Sequence, residues 1–275
     1  MKKAIEAILR QLFPRRYLGI IRTLKALRHP FDRNPDEVML AFDTLRNDPQ
    51  AQTMVDVGAH TGGSLGPFAV AGWQVYAFEP DDVNRAKLKA NCTQYAHVNI
   101  DPRAVTNETT TDKPFYRSEV STGISGLSSF HPSHKETGRV STVTLDRFYQ
   151  EQNVDRVDFL KIDTEGFDLF VLKGVPWDRV APRMIMCEFE DRKTVPLGYS
   201  FADMANFLAA HGYDVLVSEW YPIIEYGRRH KWRRFAWYPT PLAGGDQAFG
   251  NLIAVRNPDD MTRLEELVSP RCTRG

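Results

Sequence analysis

The chain of 275 residues has little cysteine: Cys92, Cys187 and Cys272 lie far apart and form no CxxC pair. That excludes a disulfide framework or a zinc knuckle and points to a reducing cytoplasm. An excess of one charge is missing too, because 35 Lys/Arg balance 35 Asp/Glu. A nucleic-acid partner is therefore not expected. No apolar run approaches the ~20 residues of a bilayer-spanning helix. The basic N-terminus lacks a small-residue cleavage site, which argues against a secretory signal. No internal repeat is present. What the chain does have is 42% hydrophobic residues, enough for one large α/β domain with or without a small appendage.

Residues 1–28 carry eight Lys/Arg against the single acid Glu6. Ile5, Ile8, Leu9, Leu12 and Phe13 follow helical spacing, which Tyr17, Ile20, Ile21, Leu24 and Leu27 continue. Residues 1–48 thus read as a helical appendage, packed on the domain or on a second subunit of a homodimer. The sharper alternative is peripheral contact of 1–28 with an anionic membrane. A further helix is expected over 36–45.

From 49 to 275, strands and helices alternate. Strands are expected at 53–57, 74–78, 97–100, 140–143, 157–162, 183–189, 213–217 and 249–255. Helices are expected after Asp81, over 144–150 and 165–173, from a Ser200/Asp203 capping box, and over 258–268. This alternation describes a mostly parallel, doubly wound sheet. Two stretches interrupt it. Residues 106–142 are rich in Ser, Thr and Gly and read as a loop or small hairpin; 219–248 form an aromatic and basic insertion.

In such folds ligands sit at the carboxyl ends of the strands. The first strand runs into Gly58-Ala59-His60-Thr61-Gly62-Gly63, a near miss of the dinucleotide fingerprint G-x-G-x-x-G, with His60 in place of the second glycine. Asp56, just before this turn, would repel phosphates. A phosphate-free cofactor with an ammonium group, such as S-adenosylmethionine, fits better. Glu79 ends the second strand 21 residues after Gly58 and is placed to accept two ribose hydroxyls, with Pro80 following. The plainer alternative makes Asp56 and Glu79 polar strand ends only.

Several stretches then carry a likeness in register: VDVGAHTGG (55–63), VYAFEPDDVNRAKLKAN (75–91), STVTLDRF (141–148), VDFLKIDTEGFDLFVLKG (157–174) and MCEFE (186–190). Together they resemble the FkbM-type S-adenosylmethionine-dependent methyltransferases. The resemblance implies a Rossmann-like, class I methyltransferase sheet of seven strands with the last antiparallel. It also implies O-methylation of hydroxyls on sugars, glycans or natural products. In this kind of fold the backbone at Ala104 meets the adenine. His60 stands where the family commonly has Asn, and Asp168 where Glu is usual.

Methyl transfer to an alcohol needs an aligned acceptor oxygen and a group to take its proton. Asp163, Glu165, Glu188 and Glu190 crowd two strand ends, where like charges raise one another's pKa. Asp163 is placed near the methyl and the acceptor. Glu165 and Glu188 divide the roles of base and sugar clamp, and Lys161 orients a carboxylate. The alternative is a structural charge network. The acids would also accept Mg²⁺, although their spacing does not demand it. Ser125, His134, Glu190 and Trp220 are candidates for contact with the acceptor, and His131-x-x-His134 reads as lid residues, metal ligands or solvated loop. Other readings of the same chain are a scaffold without chemistry and a nucleotide-sugar or NAD enzyme.

Overall fold

The computed structural model describes residues 34–50, 52–226 and 230–272. The basic segment 1–28 and the arginines at 228 and 229 lie outside the described residues.

Helix α1 (Glu37–Leu45) starts where Asp36 accepts the Met39 N–H at 3.2 Å. It buries Ala41, Phe42 and Leu45 beside Phe68 and Trp73. Glu37 accepts Trp220 Nε1 at 3.0 Å and Asn251 Nδ2 at 2.8 Å. Residues 37–45 are therefore part of the domain's helical layer.

Strands β1 (Thr53–Val57), β2 (Gln74–Phe78) and β3 (Val98–Asp101) run parallel, with short α2 (Gly66–Val70) and α3 (Asp82–Cys92) between them. The chain then leaves this sheet for a second one of three strands, in the order β4 (Ala104–Val105), β6 (His134–Val143), β5 (Thr110–Ser118). The segment expected as a loop or small hairpin is thus a long antiparallel β5–β6 pair. Its connection, 119–133, returns over the strand ends of the main sheet.

Helix α4 (Leu145–Gln152), capped by Thr144, leads back to β7 (Phe159–Ile162), then α5 (Asp168–Lys173), β8 (Met184–Glu190), one-turn α6 (Asp191–Thr194), α7 (Phe201–Ala210) and β9 (Asp214–Trp220). The main sheet is completed by β10 (Trp232–Trp237) and β11 (Phe249–Val255), and α8 (Pro258–Val268) covers it. The order is β10-β9-β11-β8-β7-β1-β2-β3. β11 runs antiparallel between β8 and β9, as the resemblance implied. The eighth strand, β10, is the departure: part of the aromatic and basic insertion folds back antiparallel on β9.

Side chains alternate between two cores. Val55, Leu160, Ile162 and Ile185 face one helical layer, while Met54, Phe159, Met184 and Met186 face the other. All four residues of β7 are buried, as expected for a central strand covered on both faces. Among the described residues, no helix is long and apolar enough to cross a membrane.

Candidate functional site

β1 lies between β2 and β7, so the chain reverses its progress across the sheet there. Such a switch point leaves a crevice beyond the strand ends. Here it forms a cavity of about 450 Å³, floored by the ends of β1, β2, β7 and β8 and roofed by residues 121–127.

One end is built by the glycine loop. Gly58 has φ +82°, and a Cβ there would meet the Asp163 carbonyl oxygen at 1.9 Å. The glycine lets the β1 and β7 ends touch. His60 has φ +50°, the left-handed region that Asn and His tolerate better than most residues. That conformation aims the His60 N–H at Glu79 Oε2, at 2.7 Å, while the Asp81 N–H reaches Oε1 at 2.8 Å. Arg85 Nη1 holds the carbonyls of Glu79 and Pro80 at 2.8 and 2.7 Å. Glu79 is thus oriented on both oxygens. Burial nevertheless pushes its carboxyl up to about 7, against the two N–H donors. Gly58, His60, Pro80 and Ala104 line this end with Asn84 and Phe115.

Asp56 does not line it. The residue is wholly buried beneath the loop, taking the Ser64 hydroxyl at 2.5 Å, with its other oxygen 3.6 Å from Lys161 Nζ. The expectation of direct cofactor contact is corrected accordingly: β1–β7 register sets Asp56 opposite Lys161, and the pair turns inward. Ala59, Thr61 and Gly62 shape the loop without lining the cavity. Ala59 is buried, the Thr61 carbonyl accepts Asn91 Nδ2 at 2.9 Å, and a Cβ on Gly62 would meet Leu88 at 2.8 Å.

The other end is acidic. Asp163, Thr164, Glu165 and Glu188 line it together with Lys193. Lys161 Nζ lies 3.2 Å from Asp163 Oδ2. Burial would raise the Asp163 carboxyl, but the two lysines overcome it and hold it below its usual value. Glu165 has φ +58° and Gly166 φ +104°, which is why α5 begins at Asp168 and not at Glu165. A left-handed glutamate is strained backbone of the kind found at working sites. Burial raises Glu165 to about 7, despite Lys193. Glu188 is raised well above its ordinary value, again chiefly by burial. Asp168 sits behind them, accepting Thr164 Oγ1 at 2.8 Å and the Glu188 N–H at 3.0 Å.

Lys193 is the residue that the sequence did not reveal. Its Nζ lies 2.6 Å from Glu165, 3.0 Å from Glu188 and 2.9 Å from Glu190, and faces the rings of Phe130 and Tyr226 at 5.2 and 5.6 Å. Asp163, Glu165 and Glu188 each bring an oxygen within 4.8 Å of the others, a spacing that a divalent cation could use. The ammonium already bonds two of the three.

Three further expectations on the acceptor side are corrected. Glu190 is 2% exposed and lies behind the wall, held by Lys193, Arg192 at 2.6 Å and the Tyr226 hydroxyl at 3.1 Å. Trp220 does not line the cavity: its indole donates to Glu37, and its ring lies 6.2 Å behind that of the lining residue Phe249. His134 supports the roof, with Nε2 at 2.9 Å from the Ile124 carbonyl, and His131 pairs with Ser133 at 2.7 Å. The two histidines thus serve the hairpin. Ser125 does line the cavity, and its hydroxyl is buried without a hydrogen-bond partner.

A parallel sheet with an antiparallel strand between the last two, and a ligand crevice at its switch point, define a class I methyltransferase fold. Residues 56–215 match the Methyltransferase FkbM domain, and the chain belongs to that family. Among solved structures it is similar to a precorrin-6y C5,15-methyltransferase from Geobacter metallireducens GS-15, at 13% identity over 81% of this chain and 89% of that one, TM-score 0.41. It is also similar to a TehB-like SAM-dependent methyltransferase from Corynebacterium glutamicum ATCC 13032 Kitasato, at 10% identity over 89% and 98%, TM-score 0.38. No curated protein matches the sequence.

Proposed function

We propose that the protein is an S-adenosylmethionine-dependent O-methyltransferase acting on a hydroxyl of a sugar, glycan or similar natural product. The observation that carries this reading is the two-ended cavity: an oriented carboxylate at Glu79, and an acid–ammonium cluster at Glu165, Glu188 and Lys193.

The donor set fits the cofactor. Each Glu79 oxygen takes one backbone N–H and keeps further acceptor capacity for a ribose hydroxyl. Ala104, Val105 and Phe115 offer apolar wall for the base, and Asp163 offers an anion for its ammonium. When bound, the cofactor supplies a methyl group on a sulfonium, already activated for displacement. The chain's own task is to hold an acceptor oxygen about 3 Å from that carbon and in line with it. Glu165, with a pKa of about 7, takes the hydroxyl proton through an oxygen whose orientation Lys193 fixes. Glu188 and the unpartnered Ser125 hydroxyl orient the remaining hydroxyls.

The test separates the two ends. Glu165→Gln is expected to lower kcat about 10²–10⁴-fold while cofactor affinity stays near wild type. Wild-type kcat should fall tenfold per pH unit below about 7, because the base works only when ionised. If Glu165→Gln turns over sugar and glycan acceptors as wild type does, the assignment of the base is wrong.

Glu79→Gln is expected to weaken S-adenosylmethionine at least about tenfold, by the loss of one charged acceptor. Wild-type affinity should also decline as pH falls through about 7, where Glu79 protonates. Isothermal titration at several pH values measures both. A pH-independent affinity would remove Glu79 from the ribose.

A further inference from the structure

Asn84 carries an unmet bond in the wall of the cavity. It sits in the first turn of α3 and is 2% exposed. Its backbone N–H donates to the Asp81 carboxylate at 2.9 Å, and its Nδ2 donates to the Thr122 carbonyl at 3.2 Å. Its Oδ1 is buried with no hydrogen-bond partner among the described residues, although Asn84 lines the cavity. Turning the amide over would set Oδ1 against the Thr122 carbonyl, acceptor to acceptor, so Oδ1 is the end that stays free. A buried acceptor left unpaired costs more than an ordinary hydrogen bond gains. In a cavity wall, such an atom marks a place for a ligand's N–H or O–H.

The other half of the amide holds the roof. Thr122 lies at the tip of the connection between β5 and β6. Beyond the tip, this connection is fastened to its own hairpin. Tyr116 and Gly126 exchange backbone bonds at 2.9 and 3.0 Å, and His134 Nε2 lies 2.9 Å from the Ile124 carbonyl. Glu119, Val120, Thr122 and Gly123 are exposed, so the tip buries little of itself and its local opening is cheap. Two side chains from the cofactor end pin it. Asn84 takes the Thr122 carbonyl, and His60 Nε2 lies 3.1 Å from Thr122 Oγ1. The same His60 gives its backbone N–H to Glu79 Oε2 at 2.7 Å. One residue thus holds the proposed ribose carboxylate with its main chain and the roof with its ring.

We infer that Asn84 and His60 form a clasp that closes the strap 119–124 over a bound nucleoside. Asn84 Oδ1 accepts an N–H or O–H of the nucleoside, and the amide, fixed by that bond, holds Thr122 with its other end. The clasp rests on the cofactor reading of this end of the cavity. It requires Thr122 to let go before the cofactor or its product leaves.

Stopped-flow displacement of S-adenosylhomocysteine from the full chain tests the clasp. Thr122→Val keeps the shape of an exposed side chain and removes its hydroxyl. His60→Asn keeps a residue at ease in the left-handed region, and with it the hold on Glu79, but is too short for Thr122. Each should speed release about three- to tenfold, and the double variant no more than either, because both remove the same bond. Asn84→Ala should speed release about tenfold or more, since it removes a strap bond and the ligand's acceptor together. Hydrogen exchange gives a second readout: saturating S-adenosylhomocysteine should slow exchange over 119–124 in the wild type and much less in Asn84→Ala. Release that Thr122→Val and His60→Asn leave unchanged overturns the clasp, and so do effects of the two that simply add. Release from Asn84→Ala at the wild-type rate removes the bond to the nucleoside and overturns it equally. A wild type that binds no S-adenosylhomocysteine would sink the cofactor reading and the clasp with it; normal binding with unaltered variants would sink the clasp alone.

Discussion

Gly58→Ala should lower the melting temperature by roughly 10 °C and abolish cofactor binding. A left-handed non-glycine residue costs about 1–3 kcal/mol, and an overpacked contact about 1–3 kcal/mol more. Both apply, since φ is +82° and the new Cβ would lie 1.9 Å from the Asp163 carbonyl oxygen. In a chain of this size each kcal/mol shifts the midpoint by ~2–4 °C. Relief requires the β1 loop to lift off the end of β7, which separates His60 from Glu79. Gly63→Ala is the control: nothing lies within 4 Å of its Cβ, so the change should stay within about 0.5 kcal/mol. Thermal unfolding and calorimetric titration of both variants decide it. Equal melting of the two would show that the loop does not depend on this close approach.

Lys193→Met should destabilise the fold by about 3–5 kcal/mol near neutral pH, because it strands buried carboxylates without their cation. The loss should depend on pH, and its direction is fixed. In the wild type burial pushes Glu190 up, but Lys193 and Arg192 outweigh it and hold it below its ordinary value. Its contribution is therefore present above the unfolded value and lost in acid. Without Lys193, Glu165, Glu188 and Glu190 face one another, and their folded values rise above the unfolded one. A raised carboxyl contributes fully below about pH 4 and loses that contribution as pH climbs through its folded value. For Glu165 that value is about 7 already in the wild type. The deficit of the variant should thus widen from about pH 5 to about pH 8. Adding Glu165→Gln should recover part of it. A loss that is flat with pH would reduce Lys193 to a packing residue.

The strands nearest the site were legible because they are local and buried. TMVDV carries Asp56 one residue before its end and runs into Gly58, QVYAF runs into Glu79-Pro80, and β1 and β2 occupy the expected residues. The Ser200/Asp203 capping box is also a local signal, and both of its bonds form. Signals that depend on distant partners were not legible. Lys193 follows Arg192 in a polar stretch and reads as solvated; only the folded chain brings Glu165, 28 residues earlier, to 2.6 Å. Asp56 reads as a ligand because it precedes the turn, yet its neighbour across the sheet, Lys161, is 105 positions away. β5 contains a proline and breaks register with β6 at two places, so no clean alternation marks it. WRRFAW reads by composition as part of an aromatic and basic insertion that interrupts the sheet, although Phe235 and Ala236 are buried and pair with β9.

That strand ties the wall of the cavity to the integrity of the sheet edge. β10 covers the outer hydrogen-bonding edge of β9, whose residues Val215, Leu216 and Val217 are buried. Uncovered, such an edge is a template on which another chain can pair and aggregate. The segment that supplies Ile223 and Tyr226 to the cavity continues directly into this cover. Redesign of the pocket therefore has room for point changes at the rim, whereas trimming the insertion would leave the sheet with a sticky border.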